Sequence, residues 1–306
     1  MNIELPVDGP LDVRATLARY YLWGEDPANR LVGDSFLRVL RLGERLVPYA
    51  VEWNGGVEDL RLRVGIPGAR STRVVEAVNR EVRLIFGLDF DLPGFYRFAK
   101  GDPALADLVE PLYGLRPSLA PNGLEMLVGL ITAQQVNLAF AVSLRARVVR
   151  RYGHPVRMGG ATVFAFPHAS ALARARVRDL RVLKFSTRKA EYIRDVARAV
   201  AAGTLDLASL AAAPNASVID ALTARRGLGR WSAEWFLARC LGRGDVCPAG
   251  DLAVRKAFAH YCGRGRMLGD AGIRRRARRW GAHQNLGVHY LLAGMRIGRA
   301  ATARET

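Results

Sequence analysis

The sequence predicts a mainly α-helical protein with an N-terminal α+β segment that contains an antiparallel sheet. In the first part of the chain, the runs SFLRVLRL, RLVPYAVEW and EDLRLRVGI follow one another closely and indicate antiparallel strands. From about residue 96 onwards, apolar residues recur at the spacing of helix faces instead. We therefore expect an α+β domain over residues 1–95 and an all-helical region over residues 96–306.

Local signals predict the elements of the N-terminal segment. A first helix is expected over residues 13–22, and Asn54-Gly55-Gly56 supplies a turn between two of the strands. A second helix follows the strands, because four apolar residues fall on one helical face: Val74, Val78, Val82 and Ile85. The dipeptides Pro93-Gly94 and Asp102-Pro103 then mark the expected domain boundary.

The second region is predicted to be a succession of helices. Asn122 can cap a helix whose apolar residues extend to Ile131, and the polar stretch Thr132–Gln135 separates it from a helix over about 137–152. Further helices are predicted over residues 170–183, 187–202, 217–224, 231–241, 252–261 and 273–297.

The charge of the chain indicates a polyanionic partner. The net charge of the 306 residues is +18, and an excess of this size favours nucleic acid. Of the 46 basic residues, only Lys100, Lys184, Lys189 and Lys256 are lysine. Arginine suits bidentate phosphate contacts, although a GC-rich genome also raises the Arg/Lys ratio. An anionic membrane surface is the other candidate partner, but no amphipathic helix with a bulky aromatic face supports it.

The composition disfavours several other classes of protein. No apolar run approaches the ~20 residues of a membrane helix, and the N-terminus MNIELPVDGPLD has no signal-peptide pattern. Cys240, Cys247 and Cys262 are too few for a disulfide framework, so a reducing cytoplasm is expected. No spacing of His, Cys and carboxylate residues indicates zinc.

The most informative stretch is the predicted helical hairpin over residues 222–233. Gly227 and Gly229 let the backbone turn sharply and approach another chain closely. The second helix begins there with free N–H groups, which together with the helix dipole can hold a phosphate. Arg225, Arg226 and Arg230 add positive charge around this turn. By itself, Gly-x-Gly also fits an ordinary tight turn with a glycine C-cap.

Two tryptophans lie off the apolar stripe of the second hairpin helix. The stripe is formed by Ala233, Phe236, Leu237, Cys240 and Leu241. At about 100° per residue, Trp231 and Trp235 lie together on roughly the opposite side. An aromatic pocket for a flipped base explains this placement. Packing of the two rings against a neighbouring domain explains it as well.

Asp251 follows the loop Val246-Cys-Pro-Ala-Gly250 at the start of the next predicted helix. Aspartate is a preferred N-cap, so a purely structural role is the simplest interpretation. A cap also holds a carboxylate rigidly at a loop tip, which a catalytic acid requires. A carboxylate near an N-glycosidic bond can stabilise the oxocarbenium character of the sugar and can orient or deprotonate water.

Taken together, Gly227-Leu-Gly-Arg-Trp-Ser-Ala233 and Pro248-Ala-Gly-Asp251 resemble the helix–hairpin–helix, Gly/Pro…Asp superfamily of glycosylases. Within it, nearly the whole chain is most similar to the AlkA-type 3-methyladenine DNA glycosylases. The resemblance implies a TATA-binding-protein-like N-terminal domain and a helix–hairpin–helix element at about 217–241. Ile131–Asn137 and Leu183–Tyr192 are supporting matches at helix junctions, the first of which meets the DNA minor groove in this family.

The resemblance also implies roles for individual residues. Asp251 would be the catalytic aspartate. The base pocket would be lined by Trp231, Trp235, Tyr20 and Leu292. Contacts to DNA would come from the hairpin residues Arg225, Gly227, Leu228, Gly229, Arg230 and Ser232, and the backbone N–H groups of Gly227–Trp231 would hold a phosphate. Gln134 and Gln135 would enter the gap that the flipped nucleotide leaves. The carbonyls of Thr223, Arg225 and Leu228 would bind a structural monovalent cation, Na⁺ or K⁺, with no other cofactor required.

Departures from relatives refine this picture. Bifunctional members carry a Schiff-base lysine where this chain has Trp231, so we expect a monofunctional enzyme without β-lyase activity. Cys240 and Cys247 are not followed by a second pair, so no iron–sulfur cluster is expected. Gln135 stands where the AlkA type has an apolar wedge, Leu292 where it has a pocket tryptophan, and Tyr20 and Tyr21 offer no clear aromatic match. These differences bear on base preference.

The predicted function is removal of alkylated bases of the 3-methyladenine and 7-methylguanine type from duplex DNA by a monomer in the cytoplasm, at the nucleoid. Two alternatives stay open, a non-catalytic DNA-binding protein and a glycosylase for deaminated or oxidised bases. The basic run Arg274–Trp280 could grip the DNA backbone or form a solvated helix face. His283 and His289 are expected to be packing residues.

Overall fold

The structure, a computed structural model, describes residues 1–302. Its N-terminal part contains a five-stranded antiparallel sheet in the order β1-β5-β4-β3-β2, with β1 at Asn2–Leu5, β2 at Asn29–Val32, β3 at Ser35–Leu42, β4 at Arg45–Asn54 and β5 at Arg61–Gly65. The longest pairing runs from Ser35 opposite Glu52 to Leu42 opposite Arg45. The predicted antiparallel sheet is confirmed.

One face of this sheet packs on helices α1 (Val13–Leu17) and α2 (Thr72–Phe86). The four residues predicted to form the apolar face of α2 are all buried. The helix ends at Gly87, whose φ of 63° continues the chain in the left-handed region that glycine tolerates. The N-terminal core is therefore a sheet with helices on one side.

The remaining chain is mainly helical. Its helices are α3 (Leu92–Ala99), α4 (Ala106–Val109), α5 (Gly123–Ala133), α6 (Leu138–Tyr152), α7 (Ala169–Ala173), α8 (Val177–Val182), α9 (Thr187–Ala201), α10 (Asn215–Thr223), α11 (Arg230–Arg239), α12 (Leu252–Cys262), α13 (Asp270–Ala277) and α14 (Gln284–Thr302). They form two apolar clusters, one around α5, α6 and α7 to α11, the other around α3, α4 and α12 to α14.

The prediction of an all-helical second region missed one hairpin. Strands β6 (His154–Met158) and β7 (Ala161–Ala165) pair antiparallel around Gly159 and Gly160, both at positive φ. Val163 and Ala165 pack on Leu37 of β3. The hairpin therefore covers part of the second face of the N-terminal sheet. Its two short strands were not predicted because they are stabilised by contacts with this distant sheet. The rest of the fold class is as expected.

Two predicted helices are each divided in the structure. The segment 170–183 forms α7 and α8, which are separated at Arg174–Arg176. The segment 273–297 is divided by a 3-10 stretch at Arg278–His283, where Gly281 adopts φ 52° and ψ −123°. Glycine permits this reversal, because a Cβ disfavours that backbone conformation.

The two parts of the chain are tied together by buried polar contacts. Arg38 of β3 donates to Glu81 of α2 and to Glu125 of α5, at 3.2 and 2.8 Å. Arg145 of α6 pairs with the same Glu125 at 2.6 Å and with Asp26. Helix α3 runs through the expected boundary at residue 95, and its buried side chains belong to the cluster of the second region.

The hydropathy of the described helices was compared with that of membrane-spanning helices. Across residues 1–302, none of the helices combines the length and the apolar character that a bilayer crossing requires.

Candidate active site around Asp251

Asp251 is the N-cap of α12 and accepts four hydrogen bonds. Its Oδ1 accepts the backbone N–H groups of Ala253 and Val254, at 2.8 and 3.1 Å. Its Oδ2 accepts the indole N–H of Trp231 at 2.7 Å and that of Trp235 at 3.1 Å. One oxygen therefore closes the helix, as expected for a cap, and the other is bound to side chains of a different helix.

The loop before Asp251 fixes the position of this carboxylate. Residues 246–249 are buried, and the N–H of Asp251 donates to the carbonyl of Pro248 at 3.0 Å. Ala249 donates in turn to Cys247 at 2.8 Å. A half-buried carboxylate is thus presented at the tip of a loop that is anchored in the core.

Trp231 and Trp235 lie one turn apart on α11 and are both half-buried. Both rings pack against the first helical cluster, and Trp235 also contacts the second. The two explanations for tryptophans off the stripe are therefore compatible, because the same rings pack against the helical core and donate hydrogen bonds to Asp251. A base that reaches Asp251 Oδ2 must share this oxygen with an indole N–H or displace it.

A buried arginine backs this arrangement, and the sequence analysis did not identify it. The guanidinium of Arg239 lies 5.5 Å from the centre of the Trp235 ring. It donates to Asn285 Oδ1 at 2.6 Å and lies 2.8 Å from His289 Nδ1. Burial, with Arg19 and Arg296 nearby, lowers the pKa of Arg239 to about 9. Its position one turn after Trp235 was the available signal.

His289 is part of the same group of side chains. Burial and the charge of Arg239 hold the pKa of His289 well below its ordinary value. A neutral imidazole can accept the Arg239 N–H at Nδ1. The other predicted packing residue, His283, stacks on Phe98 at a centroid distance of 5.1 Å.

The helical hairpin joins α10 to α11 as expected. Gly227 has a φ of 91°, and a Cβ on it would lie 2.2–2.7 Å from ring atoms of Tyr192. Both the backbone conformation and the close approach of Tyr192 therefore require glycine at this position. Leu228 is buried and anchors the turn in the first helical cluster. Gly229 is the N-cap of α11 and provides no side chain to the N–H groups of the first turn.

The arginines of the hairpin are engaged within the protein. Arg225 donates to the carbonyl of Thr204. Arg226 pairs with Glu191 at 3.2 Å and Arg230 with Glu234 at 2.8 Å, although both arginine side chains stay more than half exposed. Backbone N–H groups and the charge of Arg226 and Arg230 are therefore what the hairpin offers an anion.

The turn between α5 and α6 contacts the hairpin directly. The side-chain amide of Gln134 donates to the carbonyl of Gly227 at 2.8 Å, and Lys189 Nζ donates to Thr132 at 2.9 Å. Gln135 is exposed and adopts a φ of 55°. Gln134 thus fixes the turn to the hairpin and Gln135 projects into solvent, while the entry of the two glutamines into a DNA gap stays a prediction.

Two expected site residues are buried and a third is half-buried. Tyr20 is buried in the N-terminal core with its hydroxyl 3.3 Å from Ser118 Oγ, in a different apolar cluster from Trp231 and Trp235. Ser232 is 1% exposed, so its side chain cannot reach a phosphate and only its N–H remains available. Leu292 is half-buried against the second helical cluster.

The expected cation ligands are backbone carbonyls at the end of α10 and in the turn. The carbonyl of Arg225 already accepts the N–H of Leu228 at 3.0 Å. The final carbonyls of α10 carry the negative end of the helix dipole, which suits a cation. A monovalent cation held by the carbonyls of Thr223, Arg225 and Leu228 stays a prediction.

The basic run at residues 274–279 is partly used within the protein. Arg274 pairs with the buried Glu234 at 2.6 Å, and Arg276 donates to the carbonyl of Cys262. Arg275, Arg278 and Arg279 are exposed. Some members of the run are thus engaged within the protein and the others form a solvated face, and a contact of this face with the DNA backbone stays a prediction.

Known proteins are similar to this chain in the region that contains the hairpin and Asp251. The family model described as HhH-GPD superfamily base excision DNA repair protein matches residues 128–287. A Bacillus subtilis protein named DNA-3-methyladenine glycosylase is 36% identical over 188 residues, which cover 60% of this chain and 62% of the relative. The match thus spans less than two thirds of that relative.

Solved structures extend the similarity to nearly the whole chain. The 3-methyladenine DNA glycosylase from Archaeoglobus fulgidus superposes with a TM-score of 0.84 at 26% identity, covering 96% of this chain and 98% of that one. The Clostridium acetobutylicum 8-oxoguanine glycosylase/lyase has the same fold, with a TM-score of 0.76 at 16% identity and 98% of each chain covered. The matched region contains the hairpin, both tryptophans and Asp251, and the chain belongs to the HhH-GPD superfamily of base excision DNA repair proteins.

Proposed function

We propose that this protein is a monofunctional DNA glycosylase that flips an alkylated base out of duplex DNA and hydrolyses its N-glycosidic bond. The observation that carries the proposal is the carboxylate of Asp251, held at a loop tip by Trp231 and Trp235 of the hairpin helix. An aromatic surface, a fixed negative charge and a helix N-terminus suited to a phosphate are thereby supplied by adjacent segments.

Asp251 acts in this proposal through its charge. Departure of the base leaves positive charge on the sugar, and a fixed carboxylate stabilises that charge without reorganising. Both oxygens of Asp251 already accept two N–H groups each, so proton abstraction from water would require an indole to withdraw. Electrostatic stabilisation requires no such movement, and we assign it as the main role of Asp251.

The substrate is proposed to be a base that carries a positive charge, such as 3-methyladenine or 7-methylguanine. Alkylation weakens the glycosidic bond of such a base, and the faces of Trp231 and Trp235 attract cations. The relatives from Bacillus subtilis and Archaeoglobus fulgidus, which are named 3-methyladenine glycosylases, support this substrate class. One carboxylate then suffices for a leaving group that is already activated.

DNA is proposed to bind at the first turn of α11. The free N–H groups after Gly229, the exposed charge of Arg226 and Arg230 and the net charge of +18 support a phosphate contact there. A monovalent cation held by the carbonyls of Thr223, Arg225 and Leu228 would add positive charge beside that phosphate. We propose that a monomer acts on one damaged strand of the duplex at the nucleoid.

The proposal is tested by incubating the protein with methylated duplex DNA and measuring free base by chromatography. Release of methylated purine with an intact abasic strand as the product supports it. Duplex binding without release of any base from alkylated, deaminated or oxidised substrates would favour a non-catalytic DNA-binding protein instead.

A further inference from the structure

A second basic surface lies apart from the hairpin, between α6 and the junction of α8 with α9. It is an open cleft of about 760 Å³. Four of its lining residues are cationic and three are apolar: Arg147, Arg178, Arg181, Lys184, Phe140, Val182 and Phe185. We refer to it as the α6–α8 cleft. Its lining contains no carboxylate, so the cleft is suited to an anion.

The cations of the α6–α8 cleft are available to a ligand. Arg178 lies 3.8 Å from Asp179, and its side chain is 73% exposed. An ion pair this long and this exposed contributes little binding energy, so it leaves the Arg178 charge available to a ligand. Arg181 and Lys184 are also exposed. Arg147 is fixed in place by its donation to the carbonyl of Leu183 at 3.2 Å. The cleft thus combines one positioned guanidinium with three exposed cations.

Apolar side chains lie exposed among these charges. Phe140 is 39% exposed and Val182 is 78% exposed. Lys184 adopts a φ of 73°, a conformation that few residues other than glycine adopt, at the end of α8. Exposed apolar groups between cations suit the sugars and phosphates of a nucleic acid better than a small inorganic anion, which offers nothing to the apolar groups.

The cleft continues from the turn that carries Gln135. Phe140 lies in the first turn of α6, and Arg147 lies seven residues further along that helix, or about 10 Å at 1.5 Å per residue. The turn itself is tied to the hairpin by the Gln134–Gly227 hydrogen bond. Hairpin, turn and cleft therefore lie on connected segments.

We propose that the α6–α8 cleft binds the sugar–phosphate backbone of the substrate duplex to one side of the lesion. This inference rests on the proposed function, since it assigns a further part of the DNA footprint of the same enzyme. The 10 Å between Phe140 and Arg147 corresponds to about three base pairs at 3.4 Å per step along one strand. The cleft raises affinity for DNA and takes no part in bond cleavage.

The test compares Arg178→Ala/Arg181→Ala with the matched control Arg61→Ala/Arg63→Ala, which removes two exposed arginines from β5 of the N-terminal sheet. Duplex affinity is measured against salt concentration for both variants and for the wild type. Log K falls as log salt rises, with a slope of about −0.9 per phosphate contact. Loss of two phosphate contacts should therefore make this slope shallower by about 1.8. The control slope is expected to equal that of the wild type.

A second measurement locates the contact. Duplexes are shortened on either side of the lesion, and shortening one side should weaken wild-type binding several-fold while leaving the Arg178/Arg181 variant unaffected. Single-turnover base release at saturating enzyme is expected to be unchanged. An unchanged salt slope, or equal sensitivity to shortening in variant and wild type, would overturn the inference. Failure of the wild type to release any base, with the slope difference intact, would refute the proposed function but leave the cleft as a DNA contact.

Discussion

Trp231 donates its indole N–H to Asp251 Oδ2 at 2.7 Å, across 20 residues of sequence. The contact places a hairpin side chain on the proposed catalytic carboxylate. Trp231→Phe keeps the aromatic face and removes the donor. Because a hydrogen bond to a charged group contributes about 1.5–3 kcal/mol, we expect single-turnover release of methylated base to fall roughly 10- to 100-fold. Trp235→Phe, which removes the longer bond, should have a smaller effect. Equal wild-type rates in both variants would contradict a positioning role for the indoles.

The two hairpin glycines are expected to respond differently to the same substitution. A Cβ at Gly227 would overlap Tyr192 and force an L-residue to φ 91°, whereas a Cβ at Gly229 meets nothing within 4 Å. Gly227→Ala should lower the free energy of unfolding by about 1–3 kcal/mol or more. Gly229→Ala should cost less stability than Gly227→Ala, since it meets no steric overlap and only weakens the N-cap, and should lose duplex affinity because its Cβ would lie where a phosphate approaches. Thermal unfolding and binding titrations separate the two effects. Undiminished affinity in Gly229→Ala would argue against phosphate binding at this turn.

Gln135 adopts a backbone conformation that is unfavourable for a residue with a side chain. Gln135→Gly is expected to raise the free energy of unfolding by up to about 1 kcal/mol while weakening binding to a lesion-containing duplex. Gln135→Ala retains the backbone strain and removes the side-chain amide, so it isolates the contact to DNA. Comparison of affinity for duplexes with and without an abasic site measures the loss. Full affinity in both variants would show that Gln135 does not enter the gap.

The buried ion network between the two parts of the chain should set the acid sensitivity of the fold. Arg38 and Arg145 outweigh burial and lower the pKa of Glu125 from 4.5 to about 2. A folded-state pKa below the unfolded value means that this stabilisation is fully present above about pH 4.5 and is lost as pH falls towards 2. Denaturant unfolding across pH 2–6 should show this loss. Glu125→Gln should be less stable at neutral pH and have a flatter profile over this window, and an equally steep profile in that variant would exclude Glu125 as the cause.

Local patterns in the sequence predicted the parts of the site that depend on local structure. The N-cap at Asp251, the Gly227–Gly229 turn and the tryptophans one turn apart follow from helix signals, and the structure contains all three. The resemblance of these motifs also predicted the family.

The parts that were missed depend on contacts between distant segments. The Asp251 carboxylate meets the indoles only because the loop at 246–250 returns to α11. Gln134 donates to the carbonyl of Gly227, which lies 93 residues away in the sequence. Local sequence patterns cannot predict a contact over this separation. Tyr20 is directed into the N-terminal core by packing on Phe36 rather than by its own helix. Strands β6 and β7 acquire their partner from the N-terminal sheet, so their five residues each carry little signal alone.

Release of free base by Asp251→Asn tests whether the Asp251 carboxylate is catalytic. Asparagine remains a good N-cap, so the fold should persist, and Asp12→Asn, at the N-cap of α1, is a matched control remote from the site. Single-turnover release of methylated purine from duplex DNA should fall by about 10²-fold or more in Asp251→Asn, with duplex affinity and the Asp12→Asn rate unchanged. The wild-type product should be an intact abasic strand that borohydride does not trap on the protein. Wild-type release by Asp251→Asn would show that Asp251 is not the catalytic residue.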